Sequence, residues 1–201
     1  RDWSSDVCSS DLGVDVNAAH LADARARGVA KADYAQADFF AADWDALRAR
    51  LPTPLLIIGN PPWVTTSGLG ALGSGNAPKR TNAGRRGIEA ITGKSNFDIS
   101  EWMIGRYLDW LGDGPGVVAV LCKSATARKV VFDSWSRGRT FRTARMFDID
   151  AARHFGVEGA ACLLVLDIGP GDMTCAIYDD LTSTAPRRRI GLQDDIRSEE
   201  H

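Results

Sequence analysis

The chain has 201 residues, with 24 Lys or Arg against 26 Asp or Glu and a formal charge of −2 at pH 7. That length can bury a real core as one domain, while so even a balance excludes any argument for a nucleic-acid partner from overall charge and leaves only local clustering. No apolar run reaches membrane-spanning length and no signal peptide is visible, so a cytoplasmic protein without a membrane partner is expected.

The two ends differ in character from the rest of the chain. Residues 1–12 lack an apolar period and capping logic, and Asp2 to Leu12 matches the translation of a sequencing-library adapter. The tail from Arg197 to His201 reads as the same adapter on the opposite strand. Both are expected to be adapter-derived, the plain alternative being a disordered natural tail at each end; set aside, they leave an expected gene fragment of residues 13–196, truncated at each end. Excluding them removes two arginines and five acids and turns the balance slightly basic. Three cysteines remain, Cys122, Cys162 and Cys175. The first two sit in apolar runs where a buried free thiol is the default. No Cys-x-x-Cys occurs, so neither a metal centre nor a disulfide framework is expected.

Gly13 to Asn17 reads as a strand end, and Ala18 to Arg27 as a helix closed by Gly28. Asp15 then lies between a strand and a helix, where a carboxylate either accepts the hydroxyls of a ribose or favours the helix start. Ala32 to Ala37 leads into Asp38-Phe39-Phe40, a second acidic strand end. There a carboxylate can take an amino group while an aromatic packs on a ring, or the three can be an ordinary turn and core. Asp43 to Arg50 is a short helix ended by Pro52 and Pro54. Pro54 to Ile58 is apolar and branched and predicts a fully buried strand. It halts at Gly59, and Asn60-Pro61-Pro62-Trp63 comes next. Two successive prolines hold that backbone extended and stiff. The Asn60 side-chain oxygen and the Pro61 carbonyl are acceptors that can converge on both protons of an aromatic amine. Trp63 offers a face for a planar ring; the plain alternative is a Pro-Pro turn with a packing Trp.

Three strand ends thus recur with helices between them. That predicts an α/β, doubly wound, mostly parallel sheet, with Asp15, Asp38 and Asn60 on one edge. Residues 64–96 contain seven glycines and carry Lys79, Arg80, Arg85, Arg86 and Lys94 against the single acid Glu89. Such a segment is either a phosphate-contacting loop or a solvated insertion. Asp98 to Leu111 predicts an amphipathic helix with Ile99, Trp102, Met103, Leu108 and Leu111 along one stripe. Gly116 to Cys122 is a buried strand, with Lys123 at its end as a further phosphate contact, and a basic helix comes after it. Phe141 to Ile149 is a strand, and residues 150–159 a loop holding His154 and Phe155. Two more strands lie at Ala160 to Asp167 and Thr174 to Tyr178. Arg187-Arg188-Arg189 reads as a short exposed basic run. The catalytic domain is expected over 13–178, and a linker or recognition region from 179 to 196.

This ordered set resembles the adenine-specific DNA methyltransferases of restriction–modification systems, which use S-adenosylmethionine and have a Rossmann-like sheet. The resemblance covers residues 13 to about 169. It implies Asp15 on the cofactor ribose, Val16 beside its adenine, and Asp38 and Phe39 at the adenine amine and ring. It makes Asn60-Pro61-Pro62-Trp63 the catalytic loop, with Asn60 and Pro62 also toward the cofactor. Lys94 to Ile99 would open the next motif, and Phe155 would pack on the target base opposite Trp63. The usual residue at position 63 is Tyr; Trp keeps the stacking face. The glycine-rich cofactor motif would precede Gly13, so the fragment is expected to be inactive alone although its parent is an enzyme. DNA is the implied partner, with a restriction endonuclease or specificity subunit beside it. The same loop also fits methyltransferases acting on RNA bases or on release-factor glutamine, and a non-catalytic accessory subunit of this fold is the remaining alternative.

Overall fold

A computed structural model describes residues 11–28, 32–63, 98–156 and 158–192. The chain divides into two compact units, Arg1–Thr53 and Pro54–His201. The glycine-rich basic segment and its Lys79, Arg80, Arg85, Arg86 and Lys94 lie outside the described residues, as does the tail from Arg197.

In the first unit, β1 (Asp11–Asp15) and β2 (Ala32–Gln36) pair in parallel, with α1 (Ala18–Ala26) between them and α2 (Trp44–Arg48) after them. A parallel pair cannot be joined by a hairpin, so the crossover helix is obligatory. Gly13 is required where it stands: a Cβ there would come within 2.8 Å of the Tyr34 ring, which lies across β1. The Tyr34 hydroxyl reaches on to donate to the Ala24 carbonyl of α1 at 3.4 Å. Gly28 closes the helix at φ 67°, the left-handed turn a glycine accepts most easily. Asp11 and Leu12 belong to β1, opposite Ala32 and Asp33, so the boundary expected at Gly13 falls inside a strand. Ladder pairing uses backbone groups and is indifferent to where the side chains came from.

The second unit is a six-stranded sheet of β3 (Leu55–Gly59), β4 (Gly116–Lys123), β5 (Phe141–Ile149), β6 (Ala161–Ile168), β7 (Thr174–Tyr178) and β8 (Arg188–Gly191), in the spatial order β3-β4-β6-β5-β7-β8. Its helices are α3 (Ile99–Leu111), α4 (Ser124–Ser136) and the short α5 (Ala151–Phe155). The α/β, Rossmann-like class holds, with two departures in detail. The described strands form two sheets, not one. The larger sheet is mixed: β3–β4 and β5–β7 are parallel, whereas β6 is inserted antiparallel between β4 and β5, and β8 runs antiparallel to β7. The return through α5 is too short for a helical crossover, so β6 doubles back on β5.

Alternate residues of the sheet build the core. Val118, Val120 and Cys122 of β4 stand opposite Leu166, Leu164 and Cys162 of β6, and all six are fully buried. Ile99, Met103, Ile104, Tyr107, Leu108 and Leu111 of α3 and Val130, Val131 and Trp135 of α4 are buried with them. Trp102, expected on the α3 stripe, is only half-buried; Ile104 and Tyr107 carry that face instead. Lys129 ties the two helices, binding Glu101 at 2.8 Å and Asp133 at 2.9 Å.

Three further expectations change. β3 is not fully buried: Leu56 and Ile58, which share one face of the strand, are 60% and 74% exposed, while Leu55 and Ile57 on the other face are half-buried. His154 and Phe155 lie on α5 and not in a loop; Asp150 caps that helix by accepting from the Arg153 N–H at 3.0 Å. The sheet runs past Tyr178 into β8, where Arg188 pairs with Ile177. Arg187, just before it, is held by Asp148 at 2.8 Å and Asp179 at 2.9 Å.

The buried thiols give a check on this core. Hydrogen bonding to Cys162, together with burial, pushes the Cys122 thiol up, and burial pushes Cys175 up to about 12. A folded-state pKa above the unfolded one contributes stability that is complete below the unfolded value, here 9.0, and is lost as pH rises toward the folded value. Urea titrations should therefore show stability falling above that pH, with a shallower fall in Cys175→Ala. An unchanged slope would contradict the burial of this thiol.

Candidate functional site

β3 delivers its residues to the carboxyl end of the parallel β3–β4 pair, and the ladder stops at Gly59 opposite Val120. Pro61 and Pro62 have no N–H with which to extend it. Pro61 is buried, Pro62 and Asn60 are exposed, and Trp63 is half-buried. The Asn60 side chain makes no hydrogen bond among the described residues, so its amide is not committed to the fold. Trp63, by contrast, is held: its indole Nε1–H donates to the Leu121 carbonyl of β4 at 3.2 Å.

The sequence paired Trp63 with Phe155, and the structure brings them together. Their rings meet edge to face, with centroids 5.9 Å apart and planes at 82°. Phe155 ends α5, is 45% exposed, and has the His154 ring 6.2 Å away. Gly156 comes next at φ 64° and stops the helix. An aromatic pair with one ring exposed and the other half-buried, the latter on the same loop as an uncommitted amide at a strand's carboxyl end, offers a face suited to a flat polar ring.

Lys123, expected as a phosphate contact, is engaged inside the unit: its ammonium lies 3.2 Å from Asp98, whose side chain is only 14% exposed. Asp98 also caps α3, accepting from the Ser100 N–H at 2.9 Å and from the Ser100 hydroxyl. This acid was legible as a cap; its partner across the sheet edge was not, because the two residues are distant in sequence.

In the first unit, Asp15 and Asp38 lie at the same carboxyl edge of β1 and β2, joined by the hydrogen bond from the Ala37 N–H to the Asp15 carbonyl at 3.1 Å. Asp15 accepts from the Asn17 N–H at 2.7 Å and sits 3.3 Å from His20 Nδ1. The backbone bond from Asn17, opposed by some desolvation and helped by His20, holds its carboxyl below the usual range. Asp15 is thus ionised at neutral pH. His20 was missed in the sequence, although a histidine one turn into a helix behind a strand-end acid is a readable signal. Val16, next in the chain, is exposed and its carbonyl accepts from Gln36 Nε2 at 3.1 Å. Asp38 is half-buried and turns the chain by accepting from the Phe40 N–H at 2.9 Å. Phe39 packs against Phe40 and Trp44, and the Trp44 indole donates to the Phe39 carbonyl at 2.8 Å. The common edge expected for Asp15, Asp38 and Asn60 therefore holds for the two acids, while Asn60 belongs to the other unit. Among the described residues no cluster of His, Cys, Asp and Glu could hold a metal ion, and no helix is long and apolar enough to cross a membrane.

Fold and site together present a Rossmann-like α/β arrangement, with an Asn-Pro-Pro-Trp loop at the carboxyl end of a strand in the second unit. No protein-family model matches the chain. The chain is similar to the Type II methyltransferase M.NspV of Nostoc sp., at 34% identity over 192 residues. That similarity takes in 92% of this chain and 40% of the relative, so the chain spans well under half of that protein's length.

The Asp98 arrangement yields a stability prediction. Asp98→Ala removes a cap and the Lys123 partner and should cost about 1–2 kcal/mol. Asp98→Asn keeps the cap acceptor and leaves a half-exposed lysine solvated, so its cost should stay below about 1 kcal/mol. Urea denaturation of the two variants checks the order; equal losses would mean that the cap contributes nothing.

Proposed function

We propose that this chain belongs to a DNA methyltransferase that moves a methyl group from S-adenosylmethionine to the exocyclic amine of an adenine flipped out of the duplex. The observation that carries the reading is the exposed Asn60 amide, without a hydrogen bond among the described residues, on the loop whose Trp63 ring meets Phe155. The similarity to a Type II methyltransferase along nearly all of the chain supports it.

The residues of the first unit suit the cofactor. An ionised Asp15 at a strand end is an acceptor for two ribose hydroxyls. The exposed Val16 and half-buried Phe39 offer apolar surface for an adenine, and Asp38 offers an acceptor for its amine. When bound, S-adenosylmethionine supplies an electrophilic methyl on a sulfonium.

The chain's own part is positioning and electrostatics. An adenine amine inside a stacked duplex is out of reach, so the base must leave the helix. Trp63 and Phe155 hold the flipped ring. The Asn60 side-chain oxygen and the Pro61 carbonyl would accept hydrogen bonds from the two amine N–H groups, which draws the nitrogen lone pair out of conjugation; when the methyl passes from sulfur to nitrogen, the amine gives up one proton. No covalent enzyme intermediate forms, in keeping with the burial of Cys122, Cys162 and Cys175. Restriction–modification is the setting this reading implies, with a matching endonuclease or specificity subunit as partner.

Asn60→Ala, made in the protein expressed from its intact gene, should lower methyl incorporation into duplex DNA by about 10²–10³-fold, the usual effect of deleting one preorganised polar group. Binding of S-adenosylmethionine, measured by calorimetry, should weaken by no more than about 10-fold, the scale of one lost hydrogen bond. Methylation near the unsubstituted rate would overturn the role of Asn60.

A further inference from the structure

The missing proline donors and the Trp63 hydrogen bond are two sides of one arrangement. The β3–β4 ladder is in register up to Gly59 opposite Val120. On β4 the next carbonyl is that of Leu121, and the chain that would offer it an N–H runs into Pro61 and Pro62. The Trp63 indole supplies the donor instead, at 3.2 Å. An indole nitrogen only donates, so the sense of this bond is fixed by chemistry. Phenylalanine has no such group, and a tyrosine hydroxyl sits at the far tip of a shorter ring.

From this we infer that the Trp63–Leu121 bond makes Trp63 the stationary face of the base site and Phe155 the face that yields. The inference rests on the base-stacking role proposed for the two rings. Phe155 carries no polar atom on its side chain, is nearly half exposed, and ends a helix of five residues. The two rings now touch edge to face at 82°. A planar base held between parallel faces needs about 7 Å between them, twice a carbon contact distance of ~3.5 Å. The present centroid distance of 5.9 Å and the crossed planes leave no such slot. One ring must turn, and the untied one is Phe155. Residue 63 is then a positioning residue through its N–H as well as a stacking surface through its face.

The test separates the two properties of Trp63. Replacing it by 3-benzothienylalanine keeps the shape and the face but puts sulfur where the N–H was; Trp63→Phe serves as a second, genetically encoded variant. The first readout needs no activity. In ¹H–¹⁵N spectra of the chain, the indole N–H resonance that disappears with either variant should exchange with solvent at least about 10-fold more slowly than a free indole. The second uses the protein from the intact gene. The isostere should lower kcat for methyl transfer to duplex DNA by about 10-fold, the scale of one lost hydrogen bond, with affinity for S-adenosylmethionine unchanged. Exchange at the free rate, or an isostere as active as tryptophan, would overturn the proposal. A protected indole N–H in a protein that methylates no DNA would instead overturn the base-site reading, and the assignment of the two faces with it.

Discussion

The arrangement depends on a shortage of donors. A strand continues only while each residue can give and take a hydrogen bond, and Pro61 and Pro62 give none. β3 therefore ends at Gly59, on the carboxyl side of a parallel pair. The Pro-Pro backbone beyond it is too stiff to wander and unable to rejoin the sheet. Asn60 is left exposed at the break with its amide uncommitted, and Trp63 is turned back to cap β4. A more flexible sequence at this point would extend the ladder and bury the amide in it. Site and fold are made by the same omission.

The sheet supplies the opposing ring by a second device. Because β6 runs antiparallel between β4 and β5, the chain leaving β5 must return to the edge where β3 and β4 end. The five residues of α5 make that return, capped by Asp150 and stopped by Gly156, and its last side chain is Phe155. The core beneath is buried and apolar, with α3 and α4 joined through Lys129.

Much of this was legible in the sequence, for reasons that can be named. Strands such as Phe141–Ile149 and Thr174–Tyr178 carry the branched, apolar pattern of buried β structure and are found at the residues expected. Asp98, Asp43 and Gly112 mark helix ends because capping is local chemistry. The acids at the ends of β1 and β2 emerge from the strand–helix alternation. Features set by distant partners were hidden. Five residues of α5 cannot display a 3.6-residue period. The arginines of β8 disguise an edge strand, where charge is tolerated. The antiparallel insertion of β6 leaves no local trace, since a run of buried alternating residues reads the same in either direction. The exposure of Leu56 and Ile58 depends on what covers their face of β3, which the strand's composition does not encode.

The central claim, that the loop after β3 prepares a base amine for methylation, is tested most directly by the acceptor. The protein from the intact gene would be incubated with methyl-labelled S-adenosylmethionine and, in parallel, duplex DNA, RNA and a release factor, and the products digested to nucleosides or amino acids. The account predicts label in N6-methyladenine from DNA. Label confined to RNA or protein, or absent while the protein still binds S-adenosylmethionine, would contradict it.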